Sequence, residues 1–212
     1  MRVIGRPVTN AFSFCTARNN FLRLIICILQ AAVHIKLARF AASYDTYIGV
    51  ESGDDTILKR VNKGYDAKTA REQLEKLTAA DFSIIANFLN GLGGKDYGLS
   101  HAQKTAEIYD GTKISMIEVS SLTLVPKTNL YYMKMKGKFE EATEVERLRE
   151  MQEFLRRLTN KTILLPDHIS MPFFVKAELP AQRDEIIAGI DKIIDEVGEE
   201  VLRRHRELNP IM

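Results

Sequence analysis

Apolar residues recur with two different periods along this chain, and the switch between them marks out its elements. Leu22, Ile25, Ile26, Leu29 and Val33 fall at helical spacing and predict a helix over 20–42. From Tyr44 the pattern changes. Tyr47, Ile48 and Val50 form a short apolar strand that stops at Ser52-Gly53-Asp54-Asp55, a turn cluster that also supplies an N-cap for a helix through Ile57, Leu58 and Val61. Gly64 closes that helix, and Asp66 caps the next, in which Leu74 and Leu77 keep the helical period up to Ala80. The stretch 82–89 (FSIIANFL) is apolar almost throughout, as a strand buried on both faces would be, and it runs into Asn90-Gly91-Leu92-Gly93-Gly94. Ser100 then reads as the cap of a helix through Ala102, Ala106 and Ile108 that closes before Gly111, and 113–125 holds a third strand ending at Pro126. Strands and helices alternating at this spacing require parallel strands joined by right-handed crossovers, hence an α/β fold.

Beyond Pro126 helical periods dominate. Thr143 opens a strongly charged amphipathic helix carrying Val145, Leu148, Met151, Leu155 and Leu158; 161–165 reads as a short strand or an extended link; Pro180 starts a terminal helix through Ile186, Ile187, Ile190, Ile194 and Val197. The charges over 140–157 read as a solvated helix face laced with i to i+4 pairs such as Arg149 with Glu153. These regimes divide the chain into a divergent N-terminal segment (1–43), a strand-and-helix part (44–135) and a helical extension (136–212).

Composition narrows the function classes. Thirty Lys and Arg against twenty-eight Asp and Glu give a net charge of +2, with signs alternating along the helices, so there is no electrostatic basis for binding nucleic acid or an acidic membrane surface. Two cysteines, Cys15 and Cys27, with no CxxC and no Cys/His run, exclude a disulfide framework and a structural zinc site, and they fit a reducing cytoplasm. The run 24–33 (LIICILQAAV) reaches only half of the roughly 20 apolar residues a membrane span needs, so it reads as part of a soluble helix.

Candidate chemistry collects where strands end, because ligands of parallel α/β sheets sit outside the carboxyl ends of the strands. Three such ends are visible: Glu51-Ser52-Gly53, Asn90 to Gly94, and 123–128. A carboxylate that only accepts hydrogen bonds beside a hydroxyl that donates and accepts suits a sugar diol or an ammonium group, although a capped turn explains the same residues. Gly91, Gly93 and Gly94 let backbone approach a ligand, but GxGG is not the GxGxxG dinucleotide fingerprint, and a tight strand-to-helix turn also accounts for them. His101 offers either a packed imidazole or an acid/base group. Asp167 and His168, neighbours in sequence, cannot face one another on regular structure. Tyr131, Tyr132, Met133 and Met135 read as packing residues rather than a substrate wall.

Four segments in order, YIGVESGDDTILKRVNKG (47–64), FLNGLGGKDYGLSHAQKTAEI (88–108), SLTLVPKTNLYY (121–132) and DHISMPFFVKAELPAQRDEII (167–187), resemble the later part of radical S-adenosylmethionine (radical SAM) enzymes. The branch they look most like is that of Fe–S oxidoreductases related to oxygen-independent coproporphyrinogen oxidases and elongator-type proteins. The resemblance extends over 44–205 and implies a partial (βα)6 TIM-like barrel, of which this chain carries the last three βα units with parallel strands, followed by a C-terminal helical extension. It implies that Glu51 and Ser52 contact the ribose or methionine amino group of S-adenosylmethionine. By the same resemblance Asn90, Gly91, Gly93 and Gly94 bring backbone close to the adenosine, and Leu124 and Val125 pack near the adenine. The family holds a [4Fe-4S] cluster with a CxxxCxxC loop, and no such loop exists here. Residues 1–43 do not resemble the family's first half, which leaves a substituted front end or a start-site or frame artefact as the expectation. The expected protein binds S-adenosylmethionine with little or no radical chemistry; its small-molecule substrate is not indicated. The alternative is a non-enzymatic half-barrel that associates with another chain, or with itself, through its first strand.

Overall fold

The computed structural model describes residues 45–208; the helix expected over 20–42 and both cysteines lie outside them. The elements are β1 (Asp45–Glu51), α1 (Asp55–Arg60), α2 (Ala67–Ala79), β2 (Ser83–Asn90), α3 (Gly98–Tyr109), β3 (Ile114–Ser121), α4 (Asn129–Met135), α5 (Glu144–Arg157), β4 (Thr162–Leu165), β5 (Ala177–Leu179) and α6 (Arg183–Leu208). They form one five-stranded sheet in the order β1-β2-β3-β4-β5. The first four strands are parallel, as the alternation of strand and helix demands, and β5 runs antiparallel to β4.

Register gives the sheet two unlike faces. Ile48, Ala86, Ile117 and Leu164 lie side by side across the four strands, and with Val50, Phe88 and Val119 they join the helix-covered core, among Leu74, Ala102, Ala106, Leu148, Met151 and Phe154. The Phe88 ring stacks on Phe154 of α5 with centroids 4.2 Å apart. Tyr47, Ile85, Met116 and Ile163 make the facing row on the other side, the side that lines the interior in a closed barrel. There Tyr47 is 56% exposed.

Helix starts follow the capping residues in most places. Asp54 accepts from the Thr56 and Ile57 backbone, Asp66 from Thr69, and Thr143 forms a full capping box with Glu146. Ser100 is an exception: α3 begins at Gly98 behind Tyr97 with no side-chain cap, and the Ser100 hydroxyl instead bonds Asp54 Oδ2 at 3.1 Å.

The charged helix α5 departs furthest from the expectation of a solvated face. Glu144, Arg147, Glu150 and Gln152 are all buried, because α5 is packed between α3 and α6 and has two inward stripes instead of one. Arg149 pairs with Asp191 of α6 at 2.8 Å, while Glu153 takes Arg157. Glu199 of α6 adds a cap from outside, accepting from the Glu144 and Val145 N–H groups at 3.0 and 2.9 Å. Residues 161–165 contain a true strand, β4, and the terminal helix starts at Arg183 and kinks at Gly198. Tyr132 and Met135, expected in packing, are 49% and 68% exposed, and only Met133 joins a small cluster with Leu130 and Phe139.

Candidate functional site

The carboxyl ends of the parallel strands lie on one edge of the sheet, and the described residues supply four of them, not three. Glu51 ends β1, Asn90-Gly91 ends β2, Ser121 ends β3, and Asp167-His168 follow Leu165 of β4, which is in register with Glu118. The Asp167-His168 pair is thus a strand-end segment, a context that four-residue β4 hid from the sequence pattern.

At the end of β1, Glu51 adopts φ 62 and the Ser52 N–H reaches back to the Val50 carbonyl at 2.7 Å. This is a three-residue γ-turn of the left-handed kind, which costs a non-glycine residue roughly 1–2 kcal/mol. Such strain persists only where its surroundings hold it, and it concentrates at functional positions. The Glu51 carboxylate stands over Gly49, where a Cβ would come within 3.3 Å of Oε1, and it pairs with Lys63 at 2.5 Å. Ser52 is fully buried, and its hydroxyl accepts from the Asp54 N–H at 3.0 Å. Asp54 is opposed by burial, yet hydrogen bonds from Lys104, the Thr56 N–H and Ser100 prevail and keep its carboxyl below the ordinary range.

At the end of β2, Asn90 donates through Nδ2 to the Arg147 carbonyl at 2.9 Å, while its buried Oδ1 has no hydrogen-bond partner among the described residues. The close approach announced by the glycines is made by the chain itself. A Cβ on Gly91, at φ 81, would meet the Arg147 guanidinium at 2.6 Å; one on Gly93 would meet Tyr97 Cβ at 2.9 Å; one on Gly94 would meet the Glu140 carbonyl at 2.5 Å. The Gly91 N–H donates to both oxygens of Glu150 at 3.1 Å.

His101 and Glu150 tie these two ends together. Both side chains are fully buried and contact through Nδ1 and Oε1 at 2.7 Å, while His101 Nε2 lies 3.0 Å from the Glu51 carbonyl and the ring packs on Phe88 at 5.1 Å. Sequence spacing held no sign of the pair, whose members are 49 positions apart.

The end of β3 is clamped by two arginines. Arg147 Nη1 donates to Ser121 Oγ at 3.1 Å and the Leu122 carbonyl at 2.9 Å; Arg206 of α6 reaches the same hydroxyl at 3.0 Å and grips Glu144 with two bonds of 2.5 Å. Burial, then the charge of Arg206, draws Arg147 below the usual guanidinium range against the pull of Glu144, Glu141 and Glu150. Leu124 packs partly against Ile57, Leu92, Leu122, Leu130 and Phe139, and Val125 is 47% exposed.

The face turned away from the helices carries a second polar group below this rim. Tyr47 lies near enough to Glu118 for each to act on the other's ionisation, Asn87 Nδ2 donates to Ser120 Oγ at 3.4 Å, and the charge of Asp167 acts on both Tyr47 and Glu118. Burial raises Glu118, Asp167 raises it further, and the nearby Tyr47 hydroxyl only partly offsets them. His168 Nδ1 accepts from the Ser170 N–H at 3.1 Å, so in the neutral ring the proton sits on Nε2; burial lowers its basicity and Asp167 opposes that. Asp167 and His168 border an open hollow of about 310 Å³ with Phe173, Phe174 and His205. Polar residues at alternate positions of otherwise apolar strands, Asn87 in β2 and Glu118 in β3, were the available sequence signal for this face.

Glu118 yields a prediction with a definite sign. Its folded-state value lies above the ordinary 4.5, so its stabilising contribution is complete below 4.5 and is lost as pH rises through the folded value. Glu118→Gln is expected to raise the melting temperature at about pH 7, and the gain should vanish by about pH 4. Melting curves of both proteins at the two pH values check it.

Taken together, parallel strands covered by helices on one face and open at a shared carboxyl edge define an α/β fold of the partial TIM-like kind. The solved structure of an archaeal Methanocaldococcus infernus Elp3 with an N-terminal deletion (1-46) is similar, with a TM-score of 0.53 and 17% sequence identity over 78% of this chain and 38% of that one. The chain therefore spans little more than a third of that structure's length. No family model and no curated protein matches the chain. A [4Fe-4S] cluster held by a CxxxCxxC loop, as the sequence resemblance implies, does not fit the residues present: three thiolates are required and the sequence holds two cysteines, while the described residues contain no group of three His, Cys, Asp or Glu arranged to hold a metal. Among the described residues no helix is long and apolar enough to cross a membrane.

Proposed function

We propose that the strand-end rim binds S-adenosylmethionine, or another ligand that presents an adenosine and an ammonium group, and that this chain by itself does not cleave it reductively. The carrying observation is Glu51, a residue at positive φ at a strand end whose carboxylate stands beside Gly49 and is held there by Lys63 at 2.5 Å. In this reading Glu51 receives the ribose diol or the amino group, Asn90, Gly91, Gly93 and Gly94 form the floor beside the adenosine through their backbone, and Leu124 and Val125 offer an apolar edge to the adenine. Ser52 supports Glu51 through the turn, since its hydroxyl is already engaged by the Asp54 N–H. The carboxyl-phenol group of Tyr47, Glu118 and Asp167 then faces the substrate side. S-adenosylmethionine supplies an activated sulfonium when bound, and the cytoplasm is the compartment where such a ligand and reduced cysteines coexist.

Calorimetric titration with S-adenosylmethionine tests this. Saturable binding is expected, and Glu51→Gln should weaken it about tenfold through loss of one charge-assisted hydrogen bond. Absence of binding, or equal affinity in the variant, overturns the proposal.

A second reading has its own observation. Among the described residues β1 pairs only with β2, leaving a strand edge with Tyr47 exposed, and such an edge invites pairing with another chain. A concentration-dependent mass in light scattering would favour this half-barrel acting by association.

A further inference from the structure

We infer that His101 and Glu150 are positioning residues of the rim: they hold Glu51 in its left-handed turn and lock that turn to Gly91. The inference rests on the reading of the rim as a cofactor site and adds the device that shapes it. The Glu51 carbonyl can only accept, so His101 Nε2 is a donor at 3.0 Å. At the other ring nitrogen one proton is shared with Glu150 Oε1 over 2.7 Å, and both oxygens of Glu150 also accept from the Gly91 N–H. The result is an unbroken chain, Glu51 carbonyl to His101 to Glu150 to Gly91, that crosses from the end of β1 to the end of β2 with no exposed atom in its two side chains. Its anchor on the Glu51 side is the carbonyl of the very residue whose φ is 62. Thr105 reinforces the same contact, accepting from the Gly53 N–H at 2.9 Å and donating to the His101 carbonyl at 2.7 Å. A packing role alone explains an apolar residue at position 101; it does not explain two directed bonds to the backbones of two strand ends.

Four variants separate positioning from bulk stability, among them Glu150→Gln, whose amide can still accept from the Gly91 N–H and donate to His101 Nδ1. His101→Asn keeps an amide near the Nδ1 position to satisfy Glu150 but cannot reach the Glu51 carbonyl. His101→Gln stretches to that carbonyl. Asn160→Ala removes buried bonds to the Tyr109 and Thr112 carbonyls at the opposite end of the sheet and serves as the stability control. The readouts are S-adenosylmethionine affinity by calorimetry and hydrogen exchange of the Ser52 amide by NMR. His101→Asn is expected to lower affinity and Ser52 protection each about tenfold, His101→Gln to keep Ser52 protection within about twofold of native, Glu150→Gln to keep both readouts within about twofold, and Asn160→Ala to lower the melting temperature with both readouts unchanged. Native values in His101→Asn, or equal losses in Asn160→Ala at a matched melting temperature, overturn the inference. If His101→Asn does not fold, loss of Ser52 protection in His101→Gln overturns it and retention supports it. If the native chain ignores S-adenosylmethionine, the cofactor reading falls by itself and Ser52 exchange decides the positioning role.

Discussion

Glu150→Ala is expected to destabilise the protein by about 3–5 kcal/mol, the range found when one member of a buried ionisable pair is removed and the other is left behind. The substitution strips His101 Nδ1 of its partner and the Gly91 N–H of both its acceptors, in a place from which water is excluded. It also leaves a space beside Gly98, which packs against the Glu150 side chain. Urea unfolding of the two proteins measures the difference directly. A loss below about 1 kcal/mol would mean that the pair is satisfied by water or is not formed, and the linkage between the two strand ends would go with it.

The second large effect comes from a glycine. Gly53 sits where the turn after β1 presses on α3, and a Cβ there would stand 2.2 Å from the Lys104 carbonyl oxygen and 2.8 Å from Thr105 Cα. Both are backbone atoms of a helix and cannot swing aside. Gly53→Ala is expected to cost about 3 kcal/mol, because the turn or the helix must move and the Gly53 N–H to Thr105 bond is lost. Gly189 makes the contrast: it lies in α6, where none of the described residues beyond its own helix neighbourhood comes within 4 Å of its would-be Cβ, so Gly189→Ala should stabilise by roughly 0.5–1 kcal/mol through helix propensity. Thermal melting of the two variants should give shifts of opposite sign. Similar shifts would mean that the turn does not press on α3.

These cases show which parts of the molecule were legible in the sequence. Local devices were: Asp54, Asp66 and Thr143 announced their helices because a cap needs only the next three residues, and the strands at 47, 82 and 113 announced themselves by apolar period. From this the parallel α/β sheet followed, and with it the edge where ligands belong. Tertiary decisions were not legible. The alternating charges of α5 look like a solvated face, yet Arg147 and Glu150 are buried because their partners, Ser121 and His101, come from distant segments. The glycines after β2 read as a backbone approach to a ligand or as a tight turn, and the atoms that crowd them are the chain's own, from Arg147, Tyr97 and Glu140. Antiparallel β5 is three residues long and carries no periodicity to read. For the candidate site, Glu51 and the Asn90–Gly91 turn could be placed by their position after strands, whereas Tyr47, Glu118 and Asp167 become a group only through the register of four strands.

The burial of α5 also bears on organisation. Leu148, Met151, Phe154 and Leu155 belong to the same core as Ile84, Phe88 and Val119, and Arg147 and Arg206 fasten α5 and α6 to the end of β3. Glu150 and Arg147 of α5 thus reach the ends of β2 and β3, and substitutions in α5 are expected to be felt at Gly91 and Ser121.

The most direct test is a two-dimensional NMR titration of the isotopically labelled chain with S-adenosylmethionine. The proposal requires saturable shifts clustered at Ser52, Gly91, Gly93, Gly94, Leu124 and Val125, the backbone of one rim contributed by three strands. Shifts confined to a different surface, or a spectrum that does not respond, would contradict it.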